Sequence, residues 1–147
     1  MMESNPPIHF HYQVKPFRFP DRKRLKRFLV HLFKKEGVRL AKLNYVFCTD
    51  GYLTNLNKSF LNHDTLTDII TFPYANKPSP VESDIFISID RIKANHKTYN
   101  TSFQAELLRV IFHGALHLCG YKDKSQKQIS QMRSKEDEYL KAYFRFT

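Results

Sequence analysis

The sequence predicts one α+β domain, with about four strands in a single mixed sheet and helices packed around a central helix. Three observations predict it. Stretches with apolar residues at period two interleave with stretches at period three to four. The stretch 101–120 is apolar nearly all round, as a helix is when sheet and helices bury it together. The 147 residues show no repeat, low-complexity tract or linker, so residues 1–147 form one unit. A domain of that length buries roughly two-thirds of its unfolded surface.

Ile8, Phe10, Tyr12 and Val14 alternate with His9, His11, Gln13 and Lys15, a half-buried strand. His9 and His11 share its polar face, which reads as solvated rather than as a ligand pair. Pro16 and Pro20 end that strand. Asp21 can cap a helix whose apolar stripe is Leu25, Phe28, Leu29, Leu32 and Phe33, and Gly37 stops it. Its other face carries Arg22, Lys23, Lys26, Arg27, Lys34 and Lys35, either a phosphate surface or a charged solvent face. Residues 43–48 read as a strand, after which Thr49 or Asp50 caps a helix carrying Leu53, Leu56 and Phe60. Asn62, His63 and Asp64 form a loop into a strand at 69–72. Pro73 and residues 76–80 make the next loop, where Pro78 and Pro80 forbid regular structure. Ile85, Ile87 and Ile89 alternate along a further strand. Asp90 caps a short helix with Ile92 and Ala94, and Arg91, Lys93 and Lys97 extend the basic surface. Thr101-x-x-Gln104 and Ser125-x-x-Gln128 are capping-box patterns. The second starts a last helix that buries Ile129, Met132, Tyr139, Leu140 and Tyr143.

Chemistry concentrates at the end of the central helix, in His113-Gly114-Ala115-Leu116-His117-Leu118-Cys119-Gly120-Tyr121-Lys122-Asp123. Histidines four apart sit above one another on one helical face, a spacing that lets two imidazoles reach one metal ion. The competing reading is two polar residues on a helix. Apolar neighbours weaken it, because buried imidazoles need partners. Gly120 can take the left-handed conformation that stops a helix, and Asp123 can then return as a third ligand. Two imidazoles and one carboxylate leave an open position for water. Cys119 points to a different face and is a poor fourth ligand.

Composition sets the partner class. Lys and Arg number 24 against 14 Asp and Glu, a formal net charge of +10, which favours a polyanion such as nucleic acid. Cys48 and Cys119 give no disulfide framework and fit a reducing compartment. No signal peptide and no run of about 20 apolar residues is evident, so a cytoplasmic, non-membrane protein is expected.

The histidine stretch resembles the YbeY family of bacterial rRNA maturation factors, whose pattern is H-G-x-L-H-L-x-G-Y-D-H. His113, Gly114, Leu116, His117, Leu118, Gly120 and Tyr121 match; Lys122 replaces the pattern's Asp and Asp123 its third His. The run from Asn57 to Pro73 is similar to N-x-x-[FY]-R-x-x-D-x-P-T-D-V-L-S-F-P, with Leu61 at the Arg. Ser83-Asp84-Ile85-Phe86-Ile87-Ser88 is similar to G-D-I-x-I-S. The resemblance implies the family's α+β fold and a zinc-dependent single-strand endoribonuclease acting in rRNA processing and ribosome maturation. It implies one zinc ion on His113, His117 and Asp123, and an rRNA precursor, with ribosomal particles, as partner. No catalytic side chain is identified beyond the metal-bound water. Lys58, His63 and Lys122 are candidate substrate contacts. The family's Arg is thought to serve cleavage, so Leu61 keeps a second reading open: a non-catalytic, zinc-stabilised ribosome-assembly or RNA-binding factor. A metalloprotease is disfavoured, because Gly114 stands where that class places its Glu base.

Overall fold

A computed structural model describes residues 7–15, 17, 21–61, 67–76 and 78–146. The elements run β1 (Ile8–Tyr12), α1 (Arg22–Lys35), β2 (Leu40–Cys48), α2 (Asp50–Leu61), β3 (Ile69–Ala75), β4 (Val81–Ser88), α3 (Ile89–Thr98), α4 (Phe103–Leu118) and α5 (Gln126–Arg145). The sheet order is β1-β2-β4-β3, with β1, β2 and β4 parallel and β3 antiparallel to β4. This is the expected mixed four-stranded sheet, with α4 as the helix around which the others gather.

The alternation of β2 and β4 decides the layers. Leu43, Tyr45, Phe47, Ile85 and Ile87 enter the main core with the apolar stripe of α1 and the buried residues of α4 and α5. Cys48 and Ile70 face the other way and pack with Leu53 of α2. Burial pushes the Tyr45 phenol's pKa up, so it stays neutral and donates to the Ile111 carbonyl of α4 at 2.9 Å. Gly114 sets how closely α4 lies on the sheet. A Cβ there would stand 2.9 Å from Ile69 Cδ1 and 3.1 Å from Ile85 Cδ1. Any side chain at that position would push on both isoleucines.

Several boundaries differ from the sequence reading. β3 continues through Pro73 with a register shift before Ala75. An edge strand tolerates proline because one side of its backbone needs no ladder partner. Ile89 opens α3 rather than ending β4, and Ser88, not Asp90, caps it by accepting from Arg91 N–H. Asp90 instead accepts from Asp50 N–H across the gap to α2. Ser102, not Thr101, caps α4. Phe60 is exposed on α2. Ile129 is 44% exposed, because it sits in the first turn of α5 at a cavity mouth; Glu136 takes a buried place on that helix instead. Arg91, expected to extend the basic surface, pairs with Asp50 at 3.1 Å. The Asp21 cap, the Gly37 turn at positive φ and the Ser125–Gln128 capping box form as expected. Pro16, Pro20 and the loop of Asn62, His63 and Asp64 lie outside the described residues.

Candidate metal centre

The end of α4 builds the centre. Gly120 sits at φ 107°, and its N–H reaches His117 O while Tyr121 N–H reaches Leu116 O. This paired closure reverses the chain at once and brings Asp123 back over the last helical turn. His113 Nε2 and His117 Nε2 lie 3.0 Å apart, and Asp123 Oδ2 lies 3.3 Å from the first and 3.2 Å from the second. Donors about 2.0–2.2 Å from a tetrahedral zinc ion stand roughly 3.3–3.6 Å from one another. The donor set therefore fits a single small divalent ion, and these three residues can hold one.

The far side of each ring is tethered. His113 Nδ1 lies 2.6 Å from Glu136 Oε2, and His117 Nδ1 lies 2.9 Å from the Tyr121 carbonyl. An Nδ1–H donated outward leaves the Nε2 lone pair facing the other donors, the arrangement a metal-bound histidine requires. The tethers are themselves fixed. Arg109 Nη1 donates to Glu136 at 2.9 Å and its Nη2 to Asp137 at 2.6 Å. Tyr121 donates its hydroxyl to Glu36 at 2.8 Å, and Tyr139 donates to the same carboxylate. Burial opposes a charge on His113, but the Glu136 carboxylate outweighs it and raises the pKa. Burial likewise opposes ionisation of Glu136, and its bonds to His113 and Arg109 bring its pKa below the ordinary value.

The donors form part of an open cleft of about 920 Å³ between α2, β3 and the end of α4. Asn57, Thr71, Pro73, Asp68 and Lys124 line it with them. Burial pushes the Asp68 carboxyl pKa up, and the nearby His113 opposes this in part.

Of the sequence candidates, His113, His117 and Asp123 come together. Lys122 is exposed and Lys58 lies in the last turn of α2; neither is among the described residues lining the cleft, whereas Lys124 is. His63 lies outside the described residues. Cys119 is buried and apart from the donor set. The sequence reading missed Glu136, Arg109 and the Tyr121 carbonyl. Glu136 had a signal, since it shares the stripe of Met132, Tyr139 and Tyr143. A carboxylate on a buried stripe needs a partner. The role of a backbone carbonyl leaves no mark in a sequence.

Comparison with known proteins gives the family. Residues 11–144 match the family model described as Endoribonuclease YbeY. A protein of that name from Flavobacterium johnsoniae is 44% identical over 133 residues, covering 90% of this chain and 94% of the relative. One from Cytophaga hutchinsonii is 44% identical over 133 residues, covering 90% and 93%. The solution structure of TM1509 from Thermotoga maritima superposes with a TM-score of 0.61 at 25% identity, covering 93% of this chain and 89% of that one. Among the described residues no helix is long and apolar enough to cross a membrane. The chain belongs to the YbeY family of endoribonucleases.

Proposed function

We propose that this chain is a zinc-dependent endoribonuclease that cleaves single-stranded rRNA precursors during ribosome maturation, with His113, His117 and Asp123 holding one ion. The observation that carries it is the convergence of three donors in an open cleft, in a member of an endoribonuclease family. A bound zinc ion lowers the pKa of a coordinated water to about 7 and polarises a phosphoryl oxygen. The chain's own groups prepare the place. Glu136 and the Tyr121 carbonyl keep both Nε2 atoms turned toward Asp123. The Asp123 carboxylate makes the donor set less positive than three imidazoles would. Asp68, with its raised pKa, holds a proton in the cleft at higher pH than an exposed aspartate does. The net charge of +10 supports phosphate binding, and Lys58, His63, Lys122 and the cleft residue Lys124 supply candidate contacts. Two buried cysteines that form no disulfide fit a cytoplasmic setting.

Leu61 favours a second reading, a zinc-stabilised assembly or RNA-binding factor without turnover. Negative charge develops on the transferring phosphoryl group, and Leu61 offers it no donor. Incubation of zinc-reconstituted protein with single-stranded RNA, with and without chelator, separates the two. The expected result is slow, chelator-sensitive cleavage that Leu61→Arg accelerates by up to about 10²–10³ and His63→Ala reduces. If parent and Leu61→Arg both bind zinc and RNA yet cleave nothing, the assembly-factor reading holds.

A further inference from the structure

Beside the metal donors a second cavity, of about 360 Å³, opens between α3, α4 and α5. Its size lies within the roughly 300–1,000 Å³ of small-ligand pockets. Glu106 lines it, on the α4 face that also carries His113. Glu106 is 6% exposed, and among the described residues its carboxylate has no hydrogen bond and no ion pair. No buried side-chain oxygen of the described residues lacks a partner, so the unbonded Glu106 oxygens reach the water of the cavity, where N–H donors of a ligand can replace it. Arg109 and Arg133 act on Glu106 through their charge, but Arg109 directs its N–H groups to Glu136 and Asp137.

The mouth has a different chemistry. Tyr99, 61% exposed, and Ile129 line the cavity together. The Tyr99 backbone is fixed by a turn in which Asn100 takes φ 55° and Thr101 N–H returns to His96 O. A planar base can stack on an exposed aromatic ring. Arg133 also lines the cavity, where it can meet a phosphate. A cation is the poorer occupant. Among the described residues, only His113, His117 and Asp123 bring three donors close enough for one ion.

We infer that this cavity receives the Watson–Crick edge of a nucleobase of the bound RNA, guanine before the others, with Glu106 as acceptor and Tyr99 as stacking face. The inference rests on the proposed RNA substrate. Guanine presents two adjacent N–H donors to the two carboxylate oxygens. Adenine and cytosine present an amino group beside an acceptor. Uracil places its one N–H between two carbonyls, which repel the carboxylate.

The test is binding of guanosine and uridine 5′-monophosphates to the full zinc-loaded chain, read by calorimetry. Guanosine monophosphate should bind about tenfold more tightly or better. Glu106→Gln should erase that preference while keeping one ion per chain. Tyr99→Ala should weaken both nucleotides alike, roughly tenfold. Equal affinities in the parent overturn the inference, as does an unchanged preference in Glu106→Gln. So does a second ion per chain that Glu106→Gln removes, which makes the cavity a cation site. Should Glu106→Gln not fold, the surface variant Tyr99→Ala decides, and unchanged guanosine affinity overturns it. Binding is read without turnover, so its failure and the failure of the cleavage assay are separate results.

Discussion

Two histidine pairs on this chain meet different fates. His9 and His11 stand two apart on the edge strand β1, with ring centroids 6.5 Å apart. Both are exposed; His11 Nε2 lies 3.2 Å from Asn44 Oδ1. Slight burial, then the charges of Lys26 and Lys42, keep the His9 pKa below the ordinary value. His113 and His117 stand four apart on a buried helix, with centroids 4.5 Å apart. Each has its Nδ1 tethered, and a carboxylate closes the triangle. Spacing alone does not bring donors together: at the helix pair the rings are held from behind and the chain reversal delivers a third group.

The comparison can be broken at the helix pair first. Asp123→Ala removes a donor, and zinc affinity measured by competition with a chelating dye should fall by more than about 100-fold, above the usual effect of an outer partner. Asp123→His should retain the ion. Glu136→Gln leaves all three donors but weakens the hold on His113, and the same assay should show a loss of roughly 10–100-fold. Parent-like affinity in that variant would mean the 2.6 Å contact does not orient the ring.

The pH response follows from the same contact. In metal-free protein the Glu136 carboxylate raises the His113 pKa. That contact therefore stabilises the apo fold below the unfolded histidine pKa of about 6.5 and is lost as pH rises through the higher folded value. Zinc needs the neutral ring, so the zinc-loaded fold gains over the apo fold as pH rises through that window. The Tm difference between loaded and stripped protein should widen from about pH 6 to pH 8. A constant difference would contradict the sign. The smallest effect belongs to the strand pair. His9→Ala combined with His11→Ala should leave zinc affinity unchanged and stability within about 0.5 kcal/mol per site.

The candidate donors could be read in the sequence because each follows from a local rule. A four-residue spacing fixes the two imidazoles, and Gly120 fixes the reversal that returns Asp123. The α1 stripe was equally legible, since a period of 3.6 residues with an Asp cap has few alternatives. What escaped was set by tertiary context. Pro73 reads as a strand end until the strand is known to be an edge. Ile129 reads as core until the cavity at its turn is seen. Glu136, Arg109 and Glu106 form their relations across helices far apart in sequence, where no spacing rule connects them.

His113, His117 and Asp123 are proposed to act together as one ion site. Zinc content of the as-isolated protein, measured by elemental analysis for parent and His113→Ala, tests it most directly. One ion per chain is expected in the parent and near-complete loss in the variant, with the fold retained by circular dichroism. Equal zinc in both proteins would contradict it.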